Sequence, residues 1–179
     1  MWSFSVNGYL QTWPLWQIPA ETPQFLDFRL ISGSAETFRS GIDPAISNPN
    51  DPLGRLFNYP RIWYLLFNTG ISQDDTVWIC TVLLVLFFLI VFAFPEKLHV
   101  RDTILLLVIV FSPACMLLYE RGNVDLIFFI LVGLIILPLS RWPAVAIGIL
   151  SLASFFKFFP FFGIAGLLQE NKKKYYFGA

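Results

Sequence analysis

Charged side chains stand inside or beside long apolar stretches of this sequence. Lys157 has two phenylalanines on each side, and a link that reads Glu-Arg-Gly-Asn-Val-Asp at 120–125 lies between two apolar runs. A charge at apolar depth in a membrane is costly and therefore indicates a functional site, although a long lysine stem can also carry its ammonium to the surface. The sequence predicts a sunken polar cavity lined by Glu120, Arg121, Asn123, Asp125 and Lys157.

The elements that must position these charges are strongly apolar. Of the 179 residues, 56% are hydrophobic and only 13% are charged, and the mean hydropathy is +0.67. A soluble domain of this size could not cover so much apolar surface with so few charges, and a disordered chain would have the opposite composition. The formal net charge is zero, which argues against nucleic acid as a partner. The composition predicts an integral membrane protein.

Four apolar segments follow residue 75, at 76–94, 103–119, 126–139 and 143–168. The first has nineteen residues, which as a helix can cross a hydrocarbon core of about 30 Å. The second carries Pro113 near its far end, and the fourth is interrupted by Lys157 and Pro160. We therefore predict an all-α membrane protein in which an extracytoplasmic loop with amphipathic helices precedes four to five membrane-embedded helices, the last broken between Lys157 and Pro160.

Lysine and arginine in the short links set the predicted orientation, because these residues favour the cytoplasmic side. The basic stretches are the links at 95–102 and 140–142 and the tail at 171–179. All three can be cytoplasmic if the fourth segment folds back at its proline, whereas a straight helix over 143–168 would put the tail lysines outside. The folded-back version predicts a multi-pass protein of the plasma membrane. It divides the chain into an extracytoplasmic loop, a membrane region and a basic cytoplasmic tail, at 1–75, 76–170 and 171–179.

The extracytoplasmic loop contains a helix predicted over 27–40, because apolar residues recur there at helical spacing. These residues are Phe28, Ile31, Ala35 and Phe38. Asp27 at the helix start can complement the helix dipole, which is the structural alternative to a functional role. A second amphipathic piece is predicted over 61–67, lying in the membrane plane. Between the two, Asp43 and Asp51 each precede a proline and are typical of turn initiation.

The other side chains with reactive groups have ordinary explanations. Cys80 and Cys115 lie in apolar runs without metal-ligand spacing and are interpreted as small buried hydrophobic residues. His99 has no histidine or cysteine close by and is interpreted as a loop residue. Residues 1–20 lack the pattern of a signal peptide and resemble an aromatic belt at a membrane interface.

Five motifs follow one another along the chain, namely an acid ahead of the loop helix, Gly-x-Asp-Pro, Asn-Tyr-Pro, Gly-Asn-x-Asp and Lys-x-x-Pro. They begin at Asp27, Gly41, Asn58, Gly122 and Lys157. In this order, over residues 25–170, the sequence resembles the GT-C membrane glycosyltransferases. More specifically it resembles glycosyltransferase family 87, the domain of unknown function 2029 group, which includes polyprenol-phosphate-mannose-dependent α-mannosyltransferases.

The resemblance implies that a hexosyl group, and in particular a mannosyl group, moves from a polyprenyl-phosphate sugar to a glycan or lipid acceptor at the outer face of the lipid bilayer. No metal and no cofactor are implied. A loop carboxylate is the implied general base, and Asp27 matches it, with Asp43 as the alternative. Arg121 and Lys157 are the expected cations at the donor phosphate. The loop and cavity lining is expected to include Asp43, Asn58, Tyr59, Glu120, Asn123 and Asp125.

The sequence departs from the family pattern at both ends. The family has a span before the loop and several spans after the lysine break, so this sequence is expected to be a fragment of a longer protein. Two other classes stay open. One is a transporter or channel module, because broken helices with a charge at the break also suit a substrate pathway. The other is a non-catalytic membrane subunit or remnant.

Overall fold

The structure is a computed structural model that describes residues 8–93, 99–139, 143–158 and 162. All regular elements in these residues are helices, in agreement with the predicted all-α class. The α-helices are α1 (Tyr9–Thr12), α2 (Leu26–Arg39), α3 (Tyr64–Phe67), α4 (Thr76–Ala93), α5 (Val100–Val110), α6 (Pro113–Arg121), α7 (Asp125–Leu139) and α8 (Pro143–Phe156). Two 3₁₀ turns, Trp13–Trp16 and Arg61–Trp63, lead out of α1 and into α3.

Helix α2 confirms the helix predicted over 27–40. Phe28, Ile31 and Ala35 are buried, as their spacing requires, and Phe38 packs against the same core. The helix ends at Arg39, and Gly41 follows with a φ of +86°, a left-handed conformation that glycine adopts without a steric penalty. Residues 30–35 of α2 are all buried, so the loop helix is enclosed on more than the apolar face that its spacing predicts.

An aromatic core joins this loop to the apolar helices. Phe57, Trp63 and Phe67 are buried together with residues of α2, and the same cluster contains Phe128 of α7. The Trp63 Nε1–H donates a hydrogen bond of 3.0 Å to the carbonyl of Phe156, the last residue of α8. This bond satisfies a carbonyl that a helix end leaves without an internal partner.

The apolar helices pack on one another, α4 against α7 and α7 against α8. The segment predicted over 103–119 is divided into α5 and α6, which are bent by 49° relative to each other. Pro113 is the cause, because it cannot donate a backbone hydrogen bond and holds Ser112 in an extended conformation. The Ser112 hydroxyl oxygen then accepts a 3.4 Å bond from the Cys115 amide and caps α6.

The fourth apolar segment forms α8, which ends at Phe156, one residue before Lys157. The fold-back predicted beyond Lys157 and the tail at 171–179 lie outside the described residues. Among the residues that are described, the bent pair of α5 and α6 has the length and composition to cross a membrane, whereas no single helix does.

Candidate functional site

Asp27 lies in the first turn of α2, and its carboxylate bonds to side chains outside that helix. Oδ2 accepts a 3.0 Å hydrogen bond from Nδ2 of Asn123, and Oδ1 lies 3.5 Å from Nη1 of Arg55. The start of α2, where Phe25 has a φ of 60°, has no side-chain cap in the described structure. Asp27 thus makes no capping hydrogen bond, although its place in the first turn still complements the helix dipole, and its carboxylate binds across the fold.

A polar cavity of about 320 Å³ opens beside this carboxylate. Its lining residues are Asp27, Ala114, Leu117, Leu118, Arg121, Asn123 and Asp125. Four of the residues predicted for the site thus share one cavity wall. The turn after α6 makes this possible, because Gly122 has a φ of +59° and an added Cβ would lie 2.8 Å from both Phe25 and Cys80. Asn123 Oδ1 then accepts the Asp125 amide at 3.0 Å and fixes the link.

Lys157 reaches the same site from the end of α8. Its ammonium forms an ion pair with Oδ1 of Asp125, and the two side chains remain 28% and 38% exposed. Lys157, which was predicted to line the cavity, is not among its lining residues, but it pairs with Asp125, which is. The Trp63 bond to the Phe156 carbonyl holds the helix end next to this lysine.

Arg121 lines the cavity but already has acidic neighbours. Its Nη2 lies 2.9 Å from Oε1 of Glu21, and its Nε lies 3.0 Å from Oε2 of Glu120. The hydrogen bond from Arg121, followed by its charge, lowers the pKa of Glu21. Any anion that binds Arg121 must compete with these two carboxylates or share the guanidinium with them.

Glu120 was expected in the cavity, and the structure places it in the interior, where it is 1% exposed. Its Oε1 accepts bonds from the Tyr9 hydroxyl at 2.9 Å and from the Glu21 amide at 3.0 Å. Burial, and then the bond to Glu120, raise the pKa of Tyr9. Glu120 thus ties the N-terminal segment to the end of α6.

Asp43 belongs to a different cluster of the loop. Its Oδ1 accepts the Tyr64 hydroxyl at 2.6 Å and the Ala45 amide at 3.0 Å, and Oδ2 lies 3.3 Å from Nη2 of Arg61. The hydrogen bond from Tyr64, followed by that from Ala45, lowers the pKa of Asp43. These contacts confirm a turn-forming role, and Asn58 is an exposed residue of the same loop.

Tyr59 lies at the border between the aromatic core and the site. Its ring packs against Phe57 and Trp63. Burial, and then the negative charges of Asp27 and Asp125, raise the pKa of Tyr59 to about 12. The phenol therefore stays protonated at neutral pH and remains a hydrogen-bond donor.

The sequence did not single out Arg55 for this site, nor a role for Asp51 beyond its turn. Asp51 is 4% exposed, and its carboxylate holds the Arg55 guanidinium that reaches Asp27. The i, i+4 spacing of the two residues signals a local pair. Nothing in the spacing connects that pair with Asp27, which lies 28 positions away from Arg55.

An apolar cavity of about 470 Å³ adjoins the polar one, and both are lined by Leu118 and Asp125. Its other lining residues include Phe87, Val91, Leu106, Val110, Phe128 and Phe129. A polar cavity and an apolar cavity thus share Leu118 and Asp125 in their walls.

The site has two carboxylates that line one cavity, Asp27 and Asp125, together with the Arg121 guanidinium and the Lys157 ammonium that pairs with Asp125. Within the described ranges, no group of three or more His, Cys, Asp and Glu side chains is arranged to hold a metal ion. Neither a protein-family model, nor a curated protein, nor a solved structure matches this chain. The kind of donor and acceptor is therefore implied by the resemblance of the motifs, and the geometry bears on which residues would act on them.

Proposed function

We propose that the chain is an integral membrane glycosyltransferase of the GT-C type, or a segment of one. It transfers a hexosyl group, in particular a mannosyl group, from a polyprenyl-phosphate sugar to a glycan or lipid acceptor outside the plasma membrane. Asp27 is the general base. The observation that carries this proposal is that the Asp27 carboxylate turns away from its own helix and lines a polar cavity, held there by Asn123 and Arg55.

A general base must be within hydrogen-bond reach of the acceptor hydroxyl, and the partners of Asp27 leave room for one. Each oxygen of an ionised carboxylate has about two acceptor positions, and one position on each oxygen faces Asn123 or Arg55. A hydroxyl in the cavity can therefore donate to Asp27 and lose its proton to it. Such a base contributes about 10²- to 10⁴-fold to the rate.

The donor phosphate gains negative charge as it leaves, and Arg121 and Lys157 are the cations that can meet it. A guanidinium has five N–H donors, so Arg121 can keep its contacts to Glu21 and Glu120 and still donate to a phosphate. Lys157 must share its ammonium with Asp125. The carboxylates thus hold both cations in place before a donor arrives.

The adjoining cavities suit a donor with a polar head and an apolar tail. We assign the sugar phosphate to the polar cavity, and the first isoprene units of the polyprenyl chain to the apolar cavity that shares Leu118 and Asp125 with it. The exposed apolar side chains of α4 and α5 support a membrane location, because large exposed apolar surfaces mark contact with lipid or another apolar partner.

Sugar transfer from labelled polyprenyl-phosphate-mannose tests the proposal in membranes that carry the full-length open reading frame. We expect product with the wild type and its loss with Asp27→Asn. Asp102→Asn is the matched control, because Asp102 is also a first-turn aspartate but lies exposed at the start of α5. At equal expression, a product level in Asp27→Asn equal to that of the wild type would move the base to another residue, and Asp43→Asn is the next variant.

A transporter module is the second candidate. The observation in its favour is the 49° bend between α5 and α6 together with the Lys157–Asp125 pair at a helix end. If the wild type gives no transfer from any labelled polyprenyl-phosphate hexose, the glycosyltransferase proposal fails and this candidate takes its place.

A further inference from the structure

We propose that Arg55 is the positioning residue of Asp27, and that the buried Asp51 anchors Arg55 for this purpose. The inference rests on the proposed function, in which Asp27 is the general base. It concerns residues outside the cavity wall and assigns them a role in holding the base.

The anchor is the carboxylate of Asp51, whose side chain is fully buried. Oδ2 accepts the amides of Leu53 at 3.1 Å and Arg55 at 2.8 Å, and also the Arg55 Nε–H at 3.1 Å. Oδ1 accepts the Arg55 Nη2–H at 2.9 Å. Nε and Nη2 form one edge of the guanidinium, so this bidentate contact fixes the orientation of its plane, whereas a single contact would let the group rotate.

The neighbouring edge of the guanidinium, formed by Nη1 and Nη2, faces the start of α2. Nη2 donates to the Leu26 carbonyl at 2.6 Å, and Nη1 lies 3.5 Å from Asp27 Oδ1. Because Asn123 binds Oδ2 of the same carboxylate, Asp27 has one donor on each oxygen. The two donors come from different parts of the chain, and together they set the plane in which Asp27 meets the cavity.

Other charged groups also act on position 27, so the contribution of Arg55 must be separated from theirs. Arg121 and Asp125 line the same cavity, and Lys157 is paired with Asp125. Tyr59 lies close enough that the Asp27 charge raises its pKa. The Arg55 guanidinium contacts the Asp27 carboxylate directly, with 3.5 Å between Nη1 and Oδ1.

A thiol at position 27 measures this contact without any substrate. We would introduce Asp27→Cys into the full-length protein in a background in which Cys80, Cys115 and any further cysteine are replaced by serine, and measure alkylation by iodoacetamide against pH. Arg55 stabilises the thiolate, so adding Arg55→Gln is expected to raise the apparent thiol pKa by about one unit. Arg61→Gln is the matched control, since Arg61 pairs with Asp43, and it is expected to leave the thiol pKa unchanged.

An unchanged thiol pKa in Arg55→Gln would overturn the proposal, as would an equal rise with Arg61→Gln. If Arg55→Gln does not fold, Arg55→Met replaces it. That variant keeps most of the length of the side chain but removes its charge, so the proposal again predicts a raised thiol pKa, and no change would contradict it.

Sugar transfer then tests the link to function in the protein with Asp27 intact. Arg55→Gln is expected to lower kcat about ten- to hundredfold with little change in the donor KM, and Arg55→Lys to recover part of the loss. A thiol shift without wild-type transfer means that the contact exists but the proposed function fails. Wild-type transfer without a thiol shift means that the function stands and the positioning role does not.

Discussion

Asp27, Asp43 and Asp51 are chemically identical side chains of one loop region, but their hydrogen-bond partners differ. Asp43 and Asp51 accept backbone amides two residues ahead, as turn-forming aspartates do. Asp27 accepts from Asn123, 96 positions away, and faces a cavity. The hydrogen-bond partners therefore distinguish the two turn-forming aspartates from Asp27, the aspartate that we propose as the base.

Acid should destabilise the loop through Asp51. Burial alone would raise its pKa, but hydrogen bonds from the side chain and backbone of Arg55 outweigh burial and lower it. A lowered pKa in the folded state gives stability that is present above the unfolded value of about 3.9 and is lost as the pH falls through the folded value. We therefore expect the thermal midpoint to be steady from pH 7 to about 5 and to fall below about pH 4.

Asp51→Asn identifies the contribution of this residue to that profile. We expect the variant to be less stable at pH 7 by about 1–3 kcal/mol and to lose less stability below pH 4 than the wild type. Thermal unfolding across a pH series measures both quantities. Parallel profiles for the two proteins would show that Asp51 is not the responsible group.

At the scale of elements, Gly33 allows α2 and its loop to approach closely. A Cβ at this position would lie 2.5 Å from the Asn50 carbonyl oxygen and 2.5 Å from Nε2 of Gln73, which itself bonds to Asn50 and Arg29. Gly33→Ala must move the loop backbone, and we expect it to cost about 1–3 kcal/mol.

Gly148→Ala is the matched control for this prediction. Gly148 is also inside a helix, α8, and an added Cβ would have no atom within 4 Å among the described residues. We expect this change to be neutral or to stabilise the protein by up to about 1 kcal/mol, because alanine is the better helix former. Thermal unfolding measures the stability of both variants. Equal losses of stability in Gly33→Ala and Gly148→Ala would contradict the close approach at Gly33.

The helices could be predicted from local pattern, whereas the connections between them could not. The spacing of Phe28, Ile31 and Ala35 is sufficient to place α2, and the polar link at 120–125 between two apolar runs is sufficient to select Asn123 and Asp125. Residue spacing carries no information on which distant groups meet. For this reason Glu120 was assigned to the cavity, although Tyr9 and Glu21 bind it in the interior.

At the scale of the whole molecule, apolar side chains face outwards along entire helices. On α4 the exposed residues are Val77, Trp78, Val82, Val85, Leu86, Leu89 and Phe92, and α5 continues the pattern. Burying such surface is favourable by about 25 cal/mol per Å², so we propose that lipid covers it.

Membrane extraction tests that proposal for the whole protein. We expect the full-length protein to stay in the membrane pellet after an alkaline carbonate wash, which releases proteins held only by charge. A peripheral protein expressed alongside is the control. Recovery of the protein in the supernatant would contradict a membrane-embedded fold.

The central claim is that Asp27 is the base of a sugar transfer, and the ratio of two initial rates tests it most directly. Labelled polyprenyl-phosphate-mannose is supplied to membranes with equal amounts of wild-type or Asp27→Asn protein. We predict a rate at least about a hundredfold lower in the variant, the lower end of what a positioned base contributes. Equal, measurable rates in the two proteins would contradict the role of Asp27.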